Sequence, residues 1–241
     1  MKDLDKSWVE KSISHLTLGE IEITGRLVDA SNATLFGLMH HDGSTLEVIY
    51  KPVAGERPLW DFPDGTLADR EYSAFLFSNQ IGFDVVPPTI LREGPAGFGM
   101  VQRWIDVDDS IDLGSYFAQD RSELRSLALF DAIINNTDRK IGHLLPDQNS
   151  HLFACDHGVT FHVEDKLRTV LWQWAGDSLT EEEDRVLGQA LRFISQKASL
   201  LSGHLTDEEL AATETRINRI RTEGTMPLPS EDWPAIPWPA Y

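Results

Sequence analysis

Apolar and polar positions alternate through the first hundred residues, and then the period changes. "EIEITGRLV" (20–28) alternates and is rich in β-branched residues. "ATLFGLMHH" (33–41) follows the turn-like "DASN", and "TLEVIYKPV" (45–53) is entered through the turn "HDGS". These runs predict strands joined as a hairpin or meander. "GERPLWDFPDG" (55–65) is a loop punctuated by Pro and Gly, open to two uses: a lid over a cleft or a rigid plug. Thr66, with Asp69 three residues on, predicts a side-chain N-cap for a helix over about 67–80 that stops at Gly82. "VVPPTILREG" reads as extended and "GFGMVQRWID" as a strand.

Beyond Asp106 the spacing becomes helical. "SIDLGSYF" is a short helix, and Leu124, Leu127, Phe130 and Ile134 mark a longer one. "SHLFACDHGVTFHV" predicts a strand, a turn at Gly158 and a second alternating piece. Two further helices carry caps: Thr180 ahead of three glutamates, and Thr206 with Glu209 three later. "TMPLPSEDWPAIPWPAY" (225–241) has too many prolines for a helix and predicts an extended tail laid on the body. The whole is an α+β chain in two lobes. A β-rich N-lobe over 1–103 carries one helix, and a mainly helical C-lobe over 104–241 carries the tail.

Composition narrows the function. The 241 residues include one cysteine, Cys155, so an intrachain disulfide and a multi-cysteine zinc site are both excluded. The net charge of −18 argues against non-specific binding to nucleic acid or to an anionic bilayer. It leaves room for a small anion held by a few local cations. No apolar run approaches the roughly 18 residues of a membrane span. "MKDLDKSWVEKS" lacks an apolar signal region, so a cytoplasmic protein is expected.

The chemistry gathers at five places. Lys51 ends a strand. Glu71 lies between Leu67 and Phe75 on the apolar face of the predicted helix, where a carboxylate needs a cation, and Lys51 is the candidate. In "NNTDRKIGH" (135–143) a buried helix stops, and Asp138, Arg139, Lys140 and His143 follow. Asp156 leaves an apolar strand in "FACDHG". Hairpin, strand lysine, helix glutamate, loop aspartate and strand-end Asp-x-Gly is the order of parts in protein-kinase-like phosphoryl transfer. The lysine neutralises phosphate charge and the glutamate holds it. One aspartate orients the attacking hydroxyl, and the other carries a metal ion.

"IINNTDRKIGH" resembles the catalytic loop of type II phosphatidylinositol 4-kinases, and bacterial persistence-toxin kinases use a similar Asn-x-Asp loop. Over most of the chain, "SNATLFG", "YKPVAGERPLWDFPDGTLADRE", "VPPTILREGPAGFGMVQRW", "NNTDRKIGH", "DHGVTFH" and the terminal "IPWP" resemble an actinobacterial family distantly related to the phosphatidylinositol 3- and 4-kinases. The resemblance implies an atypical kinase fold with ATP between the lobes and Mg²⁺ or Mn²⁺ as its ion. It implies Lys51 and Glu71 at the phosphates and Gln102, Arg103 and Trp104 as a hinge beside adenine. It implies backbone N–H groups near Ser31 and Asn32 over the phosphates, Asp138 as the catalytic residue and Asp156 as the metal residue. Arg139 and Lys140 would face the γ-phosphate.

One position departs from that pattern. His143 stands where kinases place a metal-binding asparagine. Four readings stay open: imidazole ligation of the ion, a cation on phosphate, a single-metal site, or a pseudokinase. The acceptor is unknown, with a small molecule or lipid headgroup favoured over a protein because few residues separate "DHG" from "LWQWAG". Rival chemistries are a regulatory nucleotide-binding module, transfer of AMP on the same fold, and a metal hydrolase built on His143, His151, His157, His162 and Asp156.

Overall fold

The structure, a computed structural model, describes residues 4–27, 32–197 and 200–241. Strands β1 (Glu20–Arg26), β2 (Leu35–His41), β3 (Ser44–Pro52), β4 (Thr89–Gly94) and β5 (Gly97–Arg103) form one antiparallel sheet in the order β1-β2-β3-β5-β4. The register sets Lys51 opposite Met100 and Ile49 opposite Gln102. Val48 and Tyr50 alternate to the other face, where they are fully buried.

That face is covered by a helix absent from the sequence-based expectation, α1 (Lys6–Leu18). Asp5 caps it by accepting from the Ser7 N–H at 2.9 Å. Val9, Ser12 and Leu16 are its buried residues, so its apolar stripe is interrupted by a serine. The Ser12 hydroxyl is satisfied by the Trp8 carbonyl at 2.6 Å and by Arg103 Nη1 at 2.6 Å. Arg92 closes the other end, donating to the carbonyls of Leu16 and Gly19 at 2.6 and 2.9 Å. Such carbonyls have no partner within the helix.

Helix α2 (Leu67–Ile81) ends at Gly82 in the left-handed conformation, as expected. Its start differs. The Thr66 hydroxyl donates to the Pro63 carbonyl, and Glu56 caps the helix instead, accepting from the N–H groups of Leu67 and Ala68 at 3.2 and 2.9 Å. The 55–65 loop thereby holds the helix that carries Glu71. Gly55 makes this possible, because a Cβ there would sit 2.4 Å from that of Ala33.

Next come α3 (Leu113–Phe117), α4 (Ser122–Ile134), the short hairpin β6 (Leu144–Pro146) with β7 (Leu152–Ala154), α5 (Glu181–Lys197) and α6 (Asp207–Glu223). Leu124, Leu127, Phe130 and Ile134 of α4 lie in the main apolar cluster with Phe77 of α2 and Ile217 of α6. The capping boxes at Thr180–Glu183 and Thr206–Glu209 both form. Glu209 also pairs with the buried Arg70, whose Nη1 donates to the Thr160 carbonyl at 2.7 Å, so α2 is tied to the helical region beside Glu71. "GVTFHV" is no strand. Its Val159 carbonyl accepts from the Thr137 N–H at 3.1 Å and its Phe161 N–H donates to the Ile134 carbonyl at 2.6 Å, so this stretch pairs with the end of α4 and the loop after it. No helix among the described residues is long and apolar enough to cross a membrane.

Candidate active site

Helix α4 stops because Asn135 adopts a left-handed conformation, φ 54° and ψ 55°, which asparagine tolerates better than most residues. Its side chain then donates to the carbonyls of His162 and Glu164 and accepts from the Lys166 N–H. Asn136 is fully buried. Its amide group donates to Asp131 Oδ1 at 2.9 Å, and its carbonyl oxygen takes the Asp138 N–H at 3.0 Å. Two asparagines thus shape the loop that presents the Asp138 carboxylate.

Lys51 and Glu71 meet as expected. Lys51 Nζ lies 2.6 Å from Glu71 Oε1 and 3.0 Å from Asp156 Oδ1. Glu71 is held from behind, its Oε2 accepting the His157 N–H at 2.9 Å. Burial alone would depress the Lys51 ammonium, but the carboxylates of Asp156 and Glu71 outweigh it and hold it above its usual range. Lys51 in turn holds the Asp156 carboxyl well below the usual carboxylate range. Asp156 takes a left-handed conformation, φ 63°, and the chain bends at Gly158 as expected. There the loop packs against α2, where a Cβ would lie in ordinary contact with that of Leu67 at 3.4 Å.

Asp138 faces the same cleft, of about 620 Å³, as Lys51, Glu71 and Asp156. Burial raises its carboxyl above the usual range, against the pull of Lys140, whose Nζ lies 3.0 Å from Oδ2. Arg168 approaches Oδ1 at 3.8 Å and donates to the Thr137 carbonyl at 2.9 Å. Nothing in the sequence separates Arg168 from a surface arginine, as a long segment of chain lies between it and Asp138.

Arg139 is a correction. Its side chain is fully buried and turned away from the cleft. It donates to both oxygens of Asp131 at 2.9 Å, to the Cys155 carbonyl at 2.7 Å and to His157 Nε2 at 2.7 Å. Its neighbours are in the core, so it fastens the Asp138 loop to the Asp156 segment and does not face a γ-phosphate. Because arginine can only donate, His157 Nε2 accepts and the ring carries its proton on Nδ1.

The side chains of the expected hinge pack on the sheet and on α1. Gln102 donates to Thr89 Oγ1 at 2.9 Å, Arg103 lies over the Trp8 ring at 4.2 Å, and Trp104 meets Phe36 edge-on at 5.3 Å. Asn32 lines the cleft, but its side-chain oxygen accepts the Arg57 N–H at 2.9 Å. Ser31 lies outside the described residues.

His143 Nε2 lies 3.6 Å from Asp156 Oδ2, and the Lys140 N–H points at Nδ1 at 3.4 Å. Burial lowers its pKa from 6.5 to about 4, with Asp156 opposing. The unfolded chain therefore binds more protons between these values, so stability is full above about pH 6.5 and falls as pH drops toward about 4. By pH 5 the loss from this group is about 2 kcal/mol, or about 4–8 °C in Tm for a chain of this size. His143→Gln should fall less between pH 7 and pH 5 by that margin; equal falls would contradict this account of the ring.

The other histidines do not assemble a hydrolase centre. His151 Nε2 meets the Asp84 carbonyl at 2.7 Å, His162 Nε2 meets the Asp61 carbonyl at 3.0 Å, and His157 is occupied by Arg139. No group of three His, Cys, Asp or Glu side chains poised to hold a metal ion exists among the described residues.

The tail is extended and reaches the cleft. Its Ala235 carbonyl accepts from the Thr169 N–H at 3.0 Å and Trp172 Nε1 at 2.9 Å, and its Ala240 carbonyl from the Ile141 N–H at 3.0 Å. Trp233 and Trp238 line the cleft wall with Trp60. The 55–65 loop therefore serves as wall and as helix support together.

An antiparallel sheet, a helix whose glutamate grips a strand lysine, and a helical region bearing two cleft aspartates define a protein-kinase-like fold. Hydra Fam20, solved with sugar, superposes with a TM-score of 0.56 over 91% of this chain and 88% of that one at 12% identity. The proinflammatory kinase CtkA of Helicobacter pylori is also similar, with a TM-score of 0.45 at 12% identity over 87% of this chain and 93% of that one. No protein-family model matches the chain. The chain belongs to the family of protein Rv2133c of Mycobacterium tuberculosis, to which it is 40% identical over 92% of its own length and 93% of the other's.

Proposed function

We propose that this protein is an ATP-dependent phosphotransferase that moves the γ-phosphoryl group to a hydroxyl acceptor, as the distant likeness to phosphatidylinositol 3- and 4-kinases implies. The observation that carries this reading is Lys51 Nζ set between Glu71 Oε1 at 2.6 Å and Asp156 Oδ1 at 3.0 Å, with Asp138 across the same cleft. Lys51 neutralises phosphate charge at a position preset by Glu71. Asp138 takes the proton of the attacking hydroxyl, and burial raises its basicity toward that task. Lys140, beside Asp138, is the cation placed to meet charge on the transferring group.

The donor set suits a hard divalent ion completed by phosphate oxygens. Asp156 supplies a carboxylate that stays ionised, and Mg²⁺ sites use one or two carboxylates with substrate phosphates. Such an ion, when bound, offsets negative charge on the phosphates. His143 supports a single-ion version. With Nδ1 facing the Lys140 N–H, the neutral ring carries its proton on Nε2, which lies 3.6 Å from Asp156 Oδ2, outside direct hydrogen-bond reach. A neutral nitrogen at this position suits a hard ion less well than the asparagine oxygen that kinases place there. The segment after Asp156 is pinned by the Val159, Lys166 and Arg168 backbone contacts, which favours a small molecule or headgroup over a docked polypeptide.

Equilibrium binding of ATP tests the reading. The parent should bind ATP more tightly with Mg²⁺ or Mn²⁺ than without, and Asp156→Asn should lose that metal dependence. Binding that ignores both the metal and the substitution would refute the assignment.

A further inference from the structure

The cleft has a wall that phosphoryl transfer does not itself require. Trp60 and Trp238 are 83% and 92% exposed, yet both border the cleft that holds Asp138. Single exposed apolar residues are ordinary; indoles gathered beside a catalytic carboxylate mark a binding surface. The wall is held in place. The ammonium of Lys166, buried between the carboxylates of Asp61 and Glu164 at 3.1 Å each, lies 4.7 Å from the Trp60 ring and 4.9 Å from that of Trp233. The tail bearing Trp233 and Trp238 is fastened by its Ala235 and Ala240 carbonyls. The Trp233 indole N–H is turned into the protein, so the ring offers the cleft its apolar surface rather than its donor.

We propose that Trp60, Trp233 and Trp238 form the acceptor subsite and that it takes a carbohydrate ring. This rests on the phosphotransferase reading. An indole face is negative and its natural partner is a flat array of C–H groups. A sugar ring presents such a face while its hydroxyls project from the edge. Glu56 and Asp138, also in the cleft, are acceptors for those hydroxyl protons. A purine base stacks equally well but brings few hydroxyls, and a lipid surface would meet a chain of net charge −18. In the transfer step the ring hydroxyl oxygen bonds to the γ-phosphorus, the bond from phosphorus to the ADP oxygen breaks, and the hydroxyl proton passes to Asp138.

The test uses the full chain with ATP and Mn²⁺ and measures ADP release. The probes are methyl glycosides of pentoses, hexoses and amino sugars, set against adenosine, a seryl peptide and vesicles containing inositol lipid. The expected result is that a glycoside stimulates release. Trp60→Ala and Trp238→Ala should each raise the KM for that glycoside about tenfold, with the KM for ATP unchanged, and Trp238→Phe should restore most of the loss. Stimulation by adenosine, peptide or vesicles alone, no stimulation by any glycoside, or a glycoside KM indifferent to both alanine variants would each overturn the proposal. Metal-dependent ATP binding is measured on the same samples. Its presence without glycoside turnover defeats the carbohydrate inference alone; its absence defeats the phosphotransferase reading as well.

Discussion

Asp138→Asn should bind ATP as tightly as the parent and lose about a hundredfold to ten-thousandfold in turnover, the range a positioned general base contributes. The asparagine amide keeps the size and accepts one hydrogen bond, but it cannot take a proton. The loop should survive, because its shape is set by Asn135, Asn136 and Thr137 through contacts that do not use the Asp138 side chain. Lys140 and Arg168 would lose a carboxylate neighbour. That change leaves more positive charge near the phosphates, so ATP affinity should hold or rise slightly. Full turnover in this variant would mean that the proton leaves by another route. Lost ATP binding would mean that the loop had moved, and circular dichroism of the variant would show whether the fold had gone with it.

Arg139→Met should destabilise the protein by about 3–5 kcal/mol, as removal of one partner from a buried ion pair does. Asp131 would stay in the core with the Asn136 amide but without either arginine bond, and the Cys155 carbonyl and His157 Nε2 would lose a donor. For a chain of this size that is a fall of about 6–20 °C in Tm. Pairing the change with Asp131→Leu should recover much of it, since replacing both partners by apolar groups is often close to neutral. A residue acting on the γ-phosphate would show the reverse: turnover lost and Tm unmoved. Chemical denaturation of the two variants separates the cases.

The parts that chemistry fixes locally were legible in the sequence. Glu71, flanked by Leu67 and Phe75, had to be buried and had to find a cation, and it meets Lys51. The helix expected at 67–80 runs Leu67–Ile81 and ends at Gly82. Its cap was not legible, because Glu56 reaches it across a loop and no local spacing signals that. Helix α1 was hidden by Ser12, a polar residue in a buried stripe that Arg103 satisfies from a distant strand. Arg139 illustrates the limit most clearly. Adjacent to Asp138 in sequence, it points the opposite way because Arg139 is an extended position bridged to Thr169, where successive side chains alternate, and the buried Asp131, eight residues upstream on α4, receives it. Arg168 and the tail tryptophans reach the cleft through the tertiary fold alone.

Phosphorus NMR of ATP incubated with the protein, Mg²⁺ and the small-molecule fraction of a cell extract tests the central claim most directly. The account predicts that the γ-phosphorus signal is replaced by ADP and a new phosphomonoester with the parent, and that ATP persists with Asp138→Asn. Conversion to AMP and pyrophosphate, or ATP left intact by the parent, would contradict it.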